Sequence, residues 1–531
     1  MAGMPGLVAV EGTHVTVKLL ALVTRQKQSD GEAAAGMKPV VAVGRNCWRI
    51  SRAECATVVV DAADYYHAIR LAMARARRRI LIIGWDFDTR IAMEPDERGK
   101  GESLGHFFLR LVRERPEREI DVLKWNFGAL KQFVRPAAVL WLYRWWRTKR
   151  IEMRYDSAHP PGCSHHQKIV VIDNSLAACG GIDITSHRWD RSDHRDNDPH
   201  RTGPDGKPYC PWHDATMLMR GSVAQDLAEL GSERWRVATD QELEPIEPRD
   251  HGWPDRLPAM FDNADIAISR TRAAYRGTAE AREIEQLYLD MIAAARRFIY
   301  FENQYFTSAK VAACIAARME EANPPEIVLV MPRTAEGWLE QAAMDGARLK
   351  LMAAIGHKDQ RNRFRIYVPV TEGGADIYVH AKIAIVDDRL LRVGSSNLNN
   401  RSMGLDSECD VTIDAALPAN HNTGPAITGL RHRLLAEHLG CSQQQFAEAE
   451  RQASSMVDAI EGLRGEGKTL ELLDMEALGA TREFIAANEL LDPESPDSML
   501  DPIGKRGLAR SWERGRALFR RKSPARQPKA T

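Results

Sequence analysis

The sequence predicts an α/β protein of two pseudo-symmetric halves, each a mixed β-sheet flanked by helices, joined so that one active-site cleft is shared. Three observations predict it. The pattern H-x-K-x4-D occurs twice, as His166, Lys168 and Asp173 in SHHQKIVVID and as His380, Lys382 and Asp387 in YVHAKIAIVD. Each copy runs into a small-residue turn closed by an acid or amide, Gly180-Gly181-Ile182-Asp183 and Gly394-Ser395-Ser396-Asn397. Each half also opens with a helix-patterned stretch that leads into a strand-patterned one. A single His and Lys near a strand more often make a core histidine and a rim cation; duplication with matching tails argues for function.

The helix-then-strand units are DAADYYHAIRLAMARARRR (61–79) before RILIIGWDF (79–87), and EIEQLYLDMIAAARR (283–297) before RFIYFENQYF (297–306). Between Lys and Asp of each motif the residues are IVVI and IAIV, the composition of a strand buried on both faces. On such a strand His and Lys, two positions apart, point the same way. PAAVLWLYRWW (136–146) reads as a core helix packed on a sheet, with an interfacial aromatic element as the alternative. HRDNDPHRTGPDGKP (194–208) is a polar, turn-rich loop, and its His194 and His200, lacking regular ligand spacing, read as loop histidines. EPIEPRDHGWPDRLP (244–258) reads as a linker. The expected organisation is an N-terminal half over 1–243, the linker, a C-terminal half over 259–440, and a helical extension with a basic tail over 441–531.

At 531 residues, with 44% hydrophobic and 27% charged, the chain is an ordinary globular protein long enough for two sizeable cores. Lys plus Arg and Asp plus Glu balance at 73 each, so no nucleic-acid partner is expected. Residues 505–531 hold ten Lys or Arg against the single acid Glu513, interleaved with Trp512, Leu518 and Phe519. Such a tail suits either peripheral contact with an anionic membrane or a solvated terminus. The eight cysteines form no C-x-x-C pair, which points to reduced thiols and a cytoplasmic protein, while their even number leaves an exported, disulfide-bonded form open. The first residues lack the basic region of a signal peptide, and no apolar stretch reaches the roughly 18 residues of a membrane span.

If the two motifs meet, the cleft holds two imidazoles and two ammonium groups, joined by the amide of Asn397. Such a donor-rich, electropositive site suits a phosphoryl group better than a carbonyl. One imidazole can attack phosphorus while the other, held protonated by its neighbours near neutral pH, protonates the departing oxygen. The lysines then do what a metal does elsewhere, and neither metal nor cofactor is called for. Asp173 and Asp387 complete the motif set but read as ties between strand end and turn, since acids in an anion site oppose the lysines.

These motifs resemble the phospholipase D superfamily, in the tandem form similar to the eukaryotic phosphatidylcholine-cleaving group. The resemblance covers roughly residues 40–440. It rests on IYVHAKIAIVDDRLLRVGSSNLNNRSMGLDSE (377–408), FIYFENQYF, GWDFDTRI, HHQKIVVID and GGIDITSHRWD. It implies a catalytic set of His166, Lys168, Asp173, His380, Lys382 and Asp387, with His166 as nucleophile and His380 as general acid. It further implies phosphate binding by Lys168, Lys382 and Asn397, orientation of His380 by Glu408, and Asp190 as the candidate partner of His166. Asp183, where the second copy has Asn397, departs from the commonest pattern. The implied reaction is hydrolysis of a glycerophospholipid to phosphatidate and head-group alcohol through a phosphohistidine, with transphosphatidylation. A cardiolipin synthase-type phosphatidyltransferase, a superfamily nuclease and a silent membrane scaffold are the rival readings. Head-group preference and oligomeric state have no local signature.

Overall fold

The two H-x-K strands occupy equivalent places in one sheet. The computed structural model describes residues 38–126, 147–250, 252–334 and 354–473, with 141, 143–145, 351 and 352. The N-terminal half supplies β1 (Arg49–Val60), β2 (Arg79–Gly84), β3 (Glu119–Trp125), β4 (Ile151–Asp156), β5 (Ile169–Ile172), β6 (Leu176–Gly180), β7 (Trp212–His213) and β8 (Ala215–Arg220). The C-terminal half supplies β9 (Phe261–Arg272), β10 (Ala281–Arg282), β11 (Phe298–Glu302), β12 (Glu326–Val330), β13 (Phe364–Val370), β14 (Tyr378–Val379), β15 (Ile383–Val386), β16 (Leu390–Gly394) and β17 (Glu408–Asp414), followed by β18 (Thr469–Leu472). From the centre outward one side runs β1-β8-β6-β5-β2-β3-β4 and the other β9-β17-β16-β15-β11-β12-β13, position for position the same. The β2-β3-β4 and β11-β12-β13 neighbours are parallel and the rest antiparallel, so each half is mixed.

The halves join where β1 and β9, each 12 residues long, pair antiparallel from Arg49 opposite Ile268 to Ala56 opposite Phe261. Equivalent strands related by a two-fold axis must run antiparallel, and this pair makes two half-sheets one. Side chains then alternate. Leu81 and Ile83 of β2 enter a core shared with Val328 and Val330 of β12, whereas Ile80 and Ile82 face an outer core of the N-terminal half and Ile327 and Leu329 its counterpart in the C-terminal half. Each large apolar side chain in the shared core contributes about 1.5–3 kcal/mol, so the two halves are welded rather than docked. The IVVI and IAIV segments are β5 and β15, buried throughout as their composition requires.

The outer core of the N-terminal half packs α1 (Ala62–Arg75) and α2 (Leu104–Glu114), together with buried Trp141 and Trp145 from the aromatic stretch. Trp145 stacks on Phe108 of α2 at 5.6 Å. Residues 127–140, 142 and 146, like the N-terminus and the basic tail, lie outside the described residues. The linker is strapped along the N-terminal half: Arg249 N donates to Asp173 O (3.2 Å), and Asn174 Nδ2 to Ile246 O (3.1 Å). Beyond residue 440, where the sequence suggests helix alone, two helices (Gln443–Ala453 and Met456–Leu463) are followed by β18, which pairs antiparallel with β13. Phe446, Ile460 and Leu470 enter the shared core, so this stretch is integral to the C-terminal half. Among the described residues, no helix is long and apolar enough to cross a membrane.

Asp173 and Asp387 are clamps at equivalent strand ends. Asp173, in left-handed backbone with φ 50°, accepts from the amides of Arg77 (2.6 Å), Arg78 (2.7 Å) and Arg79 (2.9 Å). Asp387, at φ 54°, accepts from those of Arg296 (2.7 Å), Arg297 (2.8 Å) and Phe298 (2.9 Å). Each carboxylate thus fastens its motif strand to the start of its neighbour, β2 or β11. At about 3.3 Å per residue they lie roughly 16 Å along the strand from their lysines, which removes them from the catalytic set. Replacing Asp173 by Ala leaves three amides at a buried strand start without an acceptor, and is expected to cost about 2–4 kcal/mol in urea unfolding.

Candidate active site

Each motif histidine is held by the opposite half of the molecule. His166 N donates to Ser407 O (2.9 Å), and His166 Nδ1 donates to both carboxylate oxygens of Glu408 (3.1 Å each). His380 N donates to His213 O (2.7 Å), and His380 Nδ1 donates to Asp214 Oδ2 (2.7 Å). Glu408 opens β17 and Asp214 immediately precedes β8, the equivalent strand, so the two contacts are one contact repeated by the pseudo-two-fold.

This corrects both orienting acids expected from the sequence. Glu408 serves His166, not His380, because the acid at the start of each of these strands reaches across the symmetry axis. Asp190 does not serve His166: its carboxylate accepts from His194 Nδ1 (2.9 Å), Arg201 Nη1 (3.1 Å) and Trp212 N (2.8 Å). Asp214 was missed. Its signal was there, since PWHDATMLM stands to the first motif as LDSECDVTI stands to the second.

The small-residue turns have a geometric cause. A Cβ on Gly181 would lie 2.1 Å from Asp214 Oδ1, so the chain must be bare where that carboxylate passes. At the corresponding place in the second copy Ser395 donates from Oγ to Glu408 Oε2, and Ser402 Oγ donates to Glu408 Oε1 (2.7 Å). The partner of His166 is therefore fixed by two hydroxyls, and that of His380 by close backbone approach.

The cations differ between copies. Lys168 Nζ donates to His166 O (2.9 Å) and pairs with Asp183 Oδ2 at 3.1 Å, while Asp183 Oδ1 accepts from Trp85 N (3.0 Å). Lys382 Nζ donates to His380 O and to Gln304 Oε1 (3.3 Å). Asn397 Nδ2 lies 3.5 Å from the same Gln304 oxygen, and its Oδ1 is buried with no hydrogen-bond partner among the described residues. Gln304, which the sequence reading passed over, thus bridges Lys382 and Asn397 from the ENQYF block.

Burial dominates the proton chemistry. His166 is pushed well below the usual imidazole range by burial, then by Lys168 and Lys382; His380 follows through burial, then Lys382, Arg188 and Lys168. Each ring therefore feels both lysines, which places the motifs in one electrostatic pocket. Burial also lowers Lys382 to about 7 and raises Glu408 and Asp214 to about 7. In the free site burial thus favours the neutral form of both imidazoles, with Nδ1 donating to the acid, rather than one neutral and one protonated ring. Each Nε2 then carries a lone pair, and an arriving anion is what favours a proton on one of them.

Behind His380 lies a second, fully buried ionic cluster. His213 donates to Glu302 (2.9 Å) and contacts Glu437 (2.9 Å) and Asp61 (3.2 Å); His194 bridges Asp190 and Glu437; His438 Nε2 donates to Glu302 Oε1 (3.0 Å). Burial opposes the charge of His194, but Asp61, Asp190 and Glu437 outweigh it and hold its pKa at about 9. His194 is thus no loop-rim histidine but part of the floor under His213, whose carbonyl anchors His380. Asp61, His194, His213 and Glu437 place ligand-type atoms within 4.8 Å of one another. A divalent cation suits that donor set, yet both nitrogens of His194 and Nε2 of His213 are already hydrogen-bonded to carboxylates and would have to give them up, while His213 Nδ1 lies 2.9 Å from Glu437 without a hydrogen bond.

Replacing Lys168 by Met removes a cation that disfavours protonation of both rings. In ¹⁵N-edited NMR titration His166 and His380 are expected to be neutral at pH 7, and their pKa values to rise in the variant, His166 the more.

The family model described as phospholipase D matches residues 72–250 and 356–466, more than half of the chain. Phospholipase D alpha 1 of Carica papaya is 26% identical over 435 residues, covering 60% of this chain and 54% of the relative. Phospholipase D1 of Saccharomyces cerevisiae is 25% identical over 409 residues, covering 57% of this chain and 24% of the relative. The chain thus spans about half the length of the plant relative. Among solved structures, phosphatidylserine synthase of Haemophilus influenzae is similar with a TM-score of 0.49 at 12% identity, over 94% of this chain and 99% of that one. The chain belongs to the phospholipase D family.

Proposed function

We propose that the chain hydrolyses the distal phosphodiester of a glycerophospholipid, releasing the head-group alcohol and phosphatidate through a covalent phosphohistidine on His166. The observation that carries this reading is the reciprocal bonding of His166 to Glu408 and of His380 to Asp214. Each acid fixes a ring with Nδ1–H inward and Nε2 toward the pocket, the tautomer that both a nucleophile and a proton carrier require.

The phosphodiester anion enters against Lys382 and Asn397, where no acid opposes it as Asp183 does at Lys168. Its charge draws a proton onto His380. His166 Nε2 then attacks phosphorus, the bond to the head-group oxygen breaks, and that oxygen takes the His380 proton. Neutral His380 next removes a proton from water, the oxygen of which attacks phosphorus. The P–N bond breaks, and His166 returns neutral. Any small alcohol reaching the intermediate replaces water, giving a phosphatidyl alcohol.

Incubation with phosphatidylcholine vesicles and butanol is expected to yield phosphatidylbutanol beside phosphatidate. Hydrolysis with no transfer product at any butanol concentration argues against a shared covalent intermediate. Mass spectrometry of a His380→Ala variant after brief exposure to lipid should find the phosphatidyl adduct on His166; an adduct on neither imidazole removes the assignment. Glu408→Gln and Asp214→Asn should each lower kcat by about 10²–10⁴-fold, as a ring frozen in the wrong tautomer does. Only Glu408→Gln is expected to slow the attack step in single-turnover measurements while leaving breakdown of preformed adduct the less affected of the two.

A further inference from the structure

A polar cavity of about 550 Å³ opens between the segments 90–101 and 185–209, outside the residues that carry the reaction. Its cations are Arg90, Arg98 and Lys100, the imidazoles of His187 and His200 stand beside them, and among the described residues lining it there is no carboxylate. The nearby acids are each engaged: Asp205, between the lining residues Pro204 and Gly206, interacts with His187 and Arg90. Asp88 holds the Arg90 fork (2.9 and 2.6 Å), Asp198 accepts from His200 Nδ1 (2.7 Å), and Asp96 accepts from the backbone amides of Arg98 (2.9 Å) and Lys100 (2.8 Å), while the side chains of those two residues are exposed at the rim. Tyr66, Tyr209, Thr185 and Thr202 add hydroxyls to the lining.

The position of the cavity gives it a purpose. Its wall from Thr185 to Trp189 continues the chain from Asp183, the partner of Lys168, and Tyr66 OH ties the two by donating to Asp183 O (2.7 Å). Between wall residues His187 and Trp189, Arg188 lies over the Trp212 ring at 4.1 Å, and Trp212 lies 5.2 Å from the His380 ring. In an in-line displacement by His166, the departing group leaves on the His380 side, toward this wall. We infer that the cavity is a subsite for an anionic group, a phosphate or carboxylate, carried on the head-group alcohol of the substrate. The inference rests on the proposed phosphodiester cleavage and names which head groups it favours. The volume lies within the range of small-ligand sites and holds a phosphorylated polyol. A cation such as a quaternary ammonium meets the like charges of Arg98 and Lys100 at the rim.

The test uses the full chain and an Arg98→Gln/Lys100→Gln double variant, both positions being exposed. Monomeric short-chain lipids avoid surface-charge effects: dihexanoyl phosphatidylinositol phosphate is compared with dihexanoyl phosphatidylcholine. The ratio of kcat/KM values, anionic over zwitterionic, is expected to fall at least ten-fold in the variant. An unchanged ratio, including an equal loss on both lipids, overturns the inference. Calorimetric titration with glycerol 3-phosphate, against glycerol as control, gives a readout independent of turnover. Binding at least five-fold weaker in the variant is expected; equal binding means that the compound occupies only the central pocket, and overturns it. Turnover of neither lipid by the unmodified protein, with glycerol 3-phosphate binding still dependent on Arg98 and Lys100, would sink the cleavage reading and leave the anion subsite standing.

Discussion

Neither motif histidine keeps its partner within its own half. Glu408 belongs to the second half and holds His166 of the first, and Asp214 and His380 repeat the exchange in reverse. Everything else in the cleft depends on this crossing. It requires the antiparallel β1–β9 seam, because only a two-fold arrangement brings the start of β17 to the first motif and the approach to β8 to the second. It also requires the shared core, whose apolar side chains come from both halves and hold the crossing in register. Burial follows, and with it the low dielectric that raises the two carboxyl groups and lowers the imidazoles.

Symmetry of the backbone does not extend to charge. Asp183 faces Lys168, while the corresponding Asn397 shares Gln304 with Lys382. One lysine is neutralised before any ligand arrives; the other is a buried ammonium eased toward neutrality at about 7, for which an entering anion is a strong partner. The pocket consequently has a side where the lysine is ion-paired and a side where the lysine and Asn397 share an amide oxygen.

The fold and the two motifs were legible because both have short-range signatures. IVVI and IAIV are strands by composition, and each helix and strand of the paired units appears with its start within a residue of the expected one and its end three or four residues short, at 62–75 with 79–84 and at 283–294 with 298–302. The orienting acids were not legible by proximity. Glu408 lies nearer in sequence to His380 than to His166, and only the pseudo-two-fold, a property of the folded chain, assigns it across the axis. Asp214 was hidden for the same reason, although the repeat itself, pursued one strand further, points to it. The ionic cluster under His380 was illegible for another cause: Asp61, His194, Glu302 and Glu437 lie on four separate elements, and no spacing in the sequence announces their meeting. The strand β18 escaped because its four residues follow two charged helices and gain their place only by pairing with β13.

The covalent joining of the two copies bears on how such a site can diversify. In an assembly of identical subunits every substitution appears on both sides of the axis at once, so an acid opposite one lysine would stand opposite the other too. A tandem chain is free of that constraint, and the Asp183–Asn397 difference is what such freedom permits: one imidazole sits beside a compensated cation, its twin beside an uncompensated one. The two ends of the pocket are thereby chemically distinct, which identical subunits could not achieve.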